Sequence, residues 1–335
     1  MYEIAREKEL RIYVQPFFGV AKVDQTQPLI ESVDHAVAAR NNAEQRFEGL
    51  SFYSASIDRT INMTEVEEIK QGLENKEFVV YYQPKYNIQT KEFVGSEALA
   101  RWNSRTRGLL APSKFIETAE ASGLIANIDE YIFRKVCQDL FETRKKGRRC
   151  LPVSVNFSAS EFYDTNFVNH VVETLDEFKL PHDLVQIEVT ETTSRVNNFL
   201  AETIVEQLGK KGLKVLMDDF GSGYSSLNML KDVPIDGLKI DLRFLGQTSN
   251  EAKSNRILAA VLHMAKWLGI PSIVEGVETK EQIEYLKNLG CTTVQGYYYS
   301  SPMPQEDFVK YLLNWALTKC REDLEFFDKR IQPGL

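Results

Sequence analysis

Lys214-Val215-Leu216-Met217-Asp218-Asp219-Phe220-Gly221-Ser222-Gly223-Tyr224-Ser225-Ser226 is the stretch from which the rest of the chain can be read. Its apolar run reads as a short buried strand, and paired carboxylates fall directly at the strand's end. Other segments follow the same pattern. Leu151 to Asn156, Leu184 to Glu188, Gly237 to Ile240, Ser272 to Glu275 and Thr292 to Gln295 read as further strands. Helical patterns alternate with them at Ser113 to Ser122, Asp129 to Lys145, Phe167 to Phe178 and Thr203 to Lys211. Asn255 to Leu268, Lys280 to Leu289 and Gln305 to Trp315 continue the series, with Gly269 and Gly290 as helix stops. Strand followed by helix, repeated in this way, marks a parallel α/β fold.

The series has a different beginning. Phe78 to Pro84 and Phe93 to Trp102 read as two strands joined by a turn over Asn87 to Lys91, an antiparallel hairpin. The expected fold is therefore a TIM-like (β/α)8 barrel with an antiparallel first strand. A barrel closes the sheet without leaving edges. An open doubly wound sheet is the structural alternative, but the glycine-rich G-x-G-x-x-G fingerprint is missing. Ahead of the barrel, Arg11 to Val23 has room for one or two strands and Pro28 to Glu44 for an amphipathic helix, a short N-terminal α/β segment. The domain reading is 1–58 for that segment and linker, 59–320 for the barrel and 321–335 for a C-terminal tail.

Composition narrows the function classes. The 335 residues carry a formal net charge of −8, with 43% hydrophobic and 26% charged residues. An acidic balance argues against non-specific DNA binding, which replaces counterions with a basic surface. It does not exclude a small phosphate ligand, because a bound metal inverts the local sign. No apolar run approaches the roughly 20 residues of a membrane helix. Met1 to Leu10 lacks the apolar core of a secretory signal. Cys137, Cys150, Cys291 and Cys320 form no C-x-x-C pair, which suits idle thiols in a reducing cytoplasm. His35, His170, His182 and His263 are dispersed and read as structural or surface residues.

Chemistry gathers at the strand ends. Glu97, Asn156, Glu188, Asp218, Asp219, Lys239, Glu275 and Gln295 each end or follow a predicted strand. In a parallel barrel those ends share one rim, where active sites are built. Five carboxylates against Lys239 would repel strongly, since two like charges about 6 Å apart cost roughly 3 kcal/mol at an effective dielectric of about 20. Two divalent cations would neutralise the group. An all-oxygen donor set favours Mg²⁺ or Mn²⁺ over zinc. Paired metals roughly 4 Å apart clamp the attacking and leaving oxygens of a phosphodiester.

Three runs together resemble the EAL family of cyclic-di-GMP (c-di-GMP) phosphodiesterases: Glu97-Ala98-Leu99-Ala100-Arg101-Trp102, Asp218-Asp219-Phe220-Gly221-Ser222-Gly223, and Val274-Glu275-Gly276-Val277-Glu278. The resemblance spans about residues 60–318. It implies one metal held by Glu97, Asn156, Glu188 and Asp218, and a second served by Asp218 and Asp219, with Asp218 bridging. It implies that Lys239 holds the nucleophilic water and that Glu275 acts as base or as a water-mediated metal partner. Gln83, Arg101, Asp241, Gln295 and Pro302 match substrate-binding or nearby polar positions. An arginine suits a phosphate through its planar fork. Glu191, within Glu188-Val189-Thr190-Glu191, matches the anchor of the glycine-serine loop, which in the family couples dimerisation to metal binding. Val274 and Phe157 depart mildly from the family's usual Ala and Leu, and no ligand position is substituted.

Ser32 to Tyr53 resembles the last helix and strand of a GGDEF cyclase domain, although the Gly-Gly-Asp/Glu-Glu-Phe loop is absent. The expectation is a cytoplasmic, metal-dependent enzyme that opens c-di-GMP to linear 5′-pGpG, preceded by the C-terminal remnant of a GGDEF-like domain. A homodimer through the barrel is expected, with neither DNA nor a membrane segment involved. A catalytically silent c-di-GMP receptor and a scaffold are the competing readings.

Overall fold

A computed structural model describes residues 16–23, 29–45, 49–54, 63–190, 198–220, 230–231, 233–242 and 251–331. Glu191 and the loop from Gly221 to Ser226 lie outside these described residues. The chain divides into two compact units, one of residues 1–71 and 115–125, the other of residues 72–114 and 126–335.

The smaller unit contains a βαβ element. Strand β1 (Phe18–Val20) pairs in parallel with β2 (Leu50–Phe52), and helix α1 (Leu29–Gln45) connects them. Ala39 and Ala43 are the fully buried small residues of α1, which lets the helix lie close to its neighbours. The one strand described within Arg11 to Val23 is β1.

The larger unit is a closed barrel. Strands β3 (Phe78–Asn87) and β4 (Glu92–Ser104) form a long antiparallel hairpin with a register shift between Lys85 and Tyr86. From β4 the sheet runs in parallel through β6 (Val153–Phe157), β7 (Val185–Thr190), β8 (Lys214–Asp218), β9 (Gly237–Asp241), β10 (Ser272–Glu275) and β11 (Thr293–Val294). β11 then pairs antiparallel with β3, closing an eight-stranded ring. β5 (Gly108–Leu110) and β12 (Met303–Pro304) add short edges outside it. The expected barrel with its antiparallel first strand is what the sheet forms.

The strand sequences explain why the ring is stable. Val153, Val155, Val185, Ile187, Val189, Val215, Met217, Leu238, Ile240 and Val274 are buried at alternating positions. Their β-branched and long apolar side chains suit a sheet covered on both faces. The intervening positions carry Ser154, Asn156, Glu188, Asp218, Lys239 and Glu275, which contact one another or Lys85 and Glu97 across strands. Period-2 alternation thus sends apolar residues outward beneath helices and polar residues into the ring.

Two glycines shape the rim where β10 ends. Gly276 adopts φ +71 directly after Glu275, a left-handed turn that a side chain disfavours. At Gly296 a Cβ would stand 2.1 Å from Val277 O and 2.4 Å from Val277 N. Backbone, unlike a side-chain tip, cannot swing aside. Gly296→Ala is therefore expected to destabilise the fold by about 1–3 kcal/mol, the usual cost of overpacking. A thermal melt matching the unsubstituted chain would contradict the close approach.

Candidate metal and catalytic site

Lys239 organises the barrel interior. It is fully buried on β9, and its Nζ reaches Glu188 Oε2 at 2.7 Å, Asp218 Oδ2 at 2.9 Å, Glu275 Oε1 at 2.9 Å and Glu97 Oε2 at 3.3 Å. Four carboxylates from four strands therefore share one ammonium. Burial alone would lower the lysine pKa, but Asp218, Glu188, Glu275 and Glu97 together raise it well above its usual value. The charge is locked in place.

Lys85, which the sequence reading did not select, is the second cation. It is buried on β3 and donates to Glu188 Oε1 at 2.9 Å and Ser154 Oγ at 2.6 Å. The signal was available in principle: Lys85 stands two residues after Gln83, so strand alternation puts both on one face. With the two lysines bracketing it, Glu188 differs from its neighbours. Burial pushes its pKa up, but Lys239 and Lys85 outweigh burial and hold it at about 2.

The other acids move the opposite way. Glu97 is raised by burial and then by Glu188. Asp218 is raised by burial, with Glu188 and Asp219 adding to it against Lys239. Glu275 is raised well above its usual value by burial, with Glu97, Asp218 and Glu188 opposing the relief from Lys239. The Glu275 Oε1 atom is buried and is paired with Lys239 by charge alone, without hydrogen-bond alignment.

An amide relay orients Glu97. Gln295 Nε2 donates to Glu97 Oε2 at 2.6 Å and to Gln83 Oε1 at 3.0 Å, while Gln83 Nε2 donates to Ser300 O at 3.0 Å. Asn156 Nδ2 donates to the other Glu97 oxygen at 2.9 Å. The relay leaves Gln295 Oε1 buried without a hydrogen-bond partner.

The structure thus gathers Glu97, Asn156, Glu188, Asp218, Lys239, Glu275, Gln83 and Gln295. Glu97, Glu188 and Asp218 each offer one oxygen, and these atoms all lie within 4.8 Å of one another. Such a trio could hold a metal ion. The donor set is oxygen throughout, and a buried acidic group with unaligned oxygens fits a hard divalent cation.

Other selected residues stand apart. Asp219 is exposed, adopts φ +54 and sends its backbone N–H to Asp218 Oδ1 at 2.8 Å, outside the buried trio. Arg101 is half-buried, donates to Ala100 O at 2.8 Å and lies 5.5 Å over the Tyr81 ring, with burial lowering its pKa. Asp241 ends β9 opposite Glu275 in register, and Pro302 is half-buried ahead of β12.

Buried charge modifies the count made from strand ends. Inside the barrel four carboxylates face two ammonium groups, a net of −2 if all are ionised. Lys85 enters the site and Asp219 stays at its edge, so the excess is smaller than the sequence implied.

Known proteins carry a similar barrel. The chain is 33% identical over 281 residues to the signalling protein YkoW of Bacillus subtilis, covering 83% of this chain and 34% of that protein. It is 34% identical over 254 residues to the cyclic di-GMP phosphodiesterase RocR of Pseudomonas aeruginosa, covering 73% and 62%. The chain therefore spans only part of these curated relatives. Among solved structures, the c-di-GMP complex of the PaMucR phosphodiesterase superposes with a TM-score of 0.69 at 34% identity, covering 73% of this chain and 99% of that one. An EAL domain protein from Listeria monocytogenes superposes with a TM-score of 0.64 at 28% identity, covering 73% and 96%. Residues 66–302 match the EAL domain, well over half of the chain, and the chain belongs to the EAL-domain family.

Proposed function

We propose that this chain hydrolyses c-di-GMP to linear 5′-pGpG in a reaction that depends on divalent metal. The observation that carries the reading is the buried trio of Glu97, Glu188 and Asp218, with one oxygen of each within 4.8 Å of the others and Lys239 against all three. The names of RocR and of the PaMucR complex support the substrate.

Glu97, Asn156, Glu188 and Asp218 would hold one Mg²⁺ or Mn²⁺, and Asp218 with Asp219 a second. Bound cations would offset the acidic excess and polarise the phosphodiester oxygens. The protein's own groups do the rest. Lys239 fixes the carboxylates and positions the attacking water. The Glu275 carboxyl, whose pKa burial raises, would accept the proton of that water or hold a metal through a water. Water attacks phosphorus in line with the 3′-oxygen; the P–O3′ bond breaks, and the 3′-oxygen takes a proton from solvent in place of the one the attacking water gave up. Gln83, Arg101, Asp241, Gln295 and Pro302 line the approach of the nucleotide, and Glu191 anchors the loop that follows β8.

We carry three further readings with this one. Residues 59–320 form the working domain, preceded by the end of a GGDEF-like domain. The parallel β1–α1–β2 element supports that remnant. The barrel forms a homodimer, which light scattering on the purified chain will test. The protein works in the cytoplasm, in keeping with the free thiols of Cys137, Cys150 and Cys291. Among the described residues, no helix is long and apolar enough to cross a membrane.

Incubation with c-di-GMP and Mg²⁺ or Mn²⁺ is expected to yield pGpG, and a chelator to stop it. Nucleotide binding without product would overturn the enzymatic reading. Metal alone is expected to raise the melting temperature, because a ligand that binds only the folded state stabilises it by mass action. A hundredfold excess over Kd gives about 2.7 kcal/mol. Melts that coincide with and without Mg²⁺ at pH 8 would contradict the metal site.

A further inference from the structure

A cavity of about 470 Å³ lies away from the acidic site. Glu92 and Phe93, which open β4, and Val153, which opens β6, line it, whereas Glu188, Asp218 and Glu275 stand at or near strand ends. Its volume falls in the range of small-ligand pockets, about 300–1,000 Å³. The walls come from helix α4 (Ile125–Lys145) and helix α9 (Gln305–Ile331), with Leu140, Phe308, Leu312 and Trp315 supplying an apolar body.

The mouth is basic. Arg144-Lys145-Lys146-Gly147-Arg148-Arg149 places five cations in six residues of a chain whose net charge is −8. All six residues are exposed, and both Arg148 and Arg149 line the cavity. Neither arginine forms an ion pair among the described residues, although Arg149, after Lys319, helps to lower the pKa of Glu92. The acids nearby are already engaged. Asp139 accepts from Tyr82 Oη at 2.8 Å, and Glu92 accepts from Lys319 Nζ at 2.8 Å. An apolar chamber whose open cations lie at the rim matches a molecule with a hydrocarbon body and an anionic head.

We propose that this cavity binds a single-chain anionic amphiphile, such as a medium- or long-chain carboxylate, with its head on Arg148 and Arg149 and its tail against α9. Tyr82 lines the cavity, and the next residue, Gln83, belongs to the relay that holds Glu97, so the two sites sit on opposite faces of one strand.

Dodecanoate below its micellar concentration, titrated calorimetrically into the full chain, is expected to bind saturably at one site. The exposed double substitution Arg148→Glu/Arg149→Glu is expected to weaken it by about tenfold or more, through loss and reversal of the charge contacts. Ala316→Trp, which adds bulk at an exposed lining position, is expected to weaken it by about as much. Circular dichroism melts of both variants check that the fold persists. Dodecyltrimethylammonium, the same tail with a cationic head, is expected not to bind. Absence of saturable binding, equal affinity in both variants, or equal binding of the cationic probe would each overturn the proposal. Capture of phosphatidylglycerol vesicles without binding of monomeric dodecanoate would also overturn it, in favour of a membrane surface.

Discussion

Glu97→Ala is expected to abolish c-di-GMP cleavage, with turnover falling by at least about 10³-fold. Glu97 is where the site's threads meet. One oxygen accepts from Asn156, and the other accepts from Gln295 and faces Lys239 at 3.3 Å. Truncation removes one of the three oxygens of the buried trio and frees the amides that oriented it. Stability should respond differently from activity. Burial and Glu188 raise the Glu97 pKa, so the folded state binds the Glu97 proton more tightly than the unfolded chain. Such a group costs stability as pH climbs past its unfolded value of about 4.3. Without metal at pH 8, the variant should lose little stability from charge, and the relief of repulsion offsets part of the lost packing. A variant that cleaves within tenfold of the unsubstituted chain would remove Glu97 from the site.

Lys239→Met should have the largest effect on the fold itself. It removes the cation shared by Glu97, Glu188, Asp218 and Glu275 while keeping similar side-chain bulk. Breaking a buried pair by removing one partner costs about 3–5 kcal/mol, because the remaining charges stay desolvated. The loss should depend on pH. In the unsubstituted chain Glu188, held at about 2, contributes stability that is present above its unfolded pKa and is lost as pH falls toward 2. Without Lys239 that carboxyl loses its strongest support, and Glu97, Asp218 and Glu275 rise further. Groups with raised folded pKa values destabilise the fold progressively above about pH 4.3. The variant should therefore be closest to the unsubstituted chain near pH 5 and furthest from it at pH 8. Urea unfolding at both pH values reads this directly, and a variant equally stable at both would show that the carboxylates do not depend on the lysine.

The fold was largely legible in the strand and helix pattern. Val153 to Phe157, Val185 to Thr190, Lys214 to Asp218, Gly237 to Asp241 and Ser272 to Glu275 are short apolar-rich runs separated by helical stretches, and each forms a parallel strand. The last helix extends well beyond the predicted Trp315, to Ile331. Leu317, Cys320, Leu324, Phe327 and Ile331 continue the three-and-four spacing of a helical face beyond Trp315.

Sequence by itself determined which residue types stand at the strand ends, because alternation along a strand assigns each side chain to one face and the acids fall on the polar face. Tertiary closure decided which of them meet. Lys85 joined the site because β11 closes the ring against β3, a neighbour relation that no local pattern encodes. Asp219 directly follows the inward Asp218, so alternation takes it off the interior face, and it stands exposed with φ +54 where the strand ends. The Gln83–Gln295–Glu97 relay spans about two hundred residues, and only the closing of the ring brings its ends within hydrogen-bond distance.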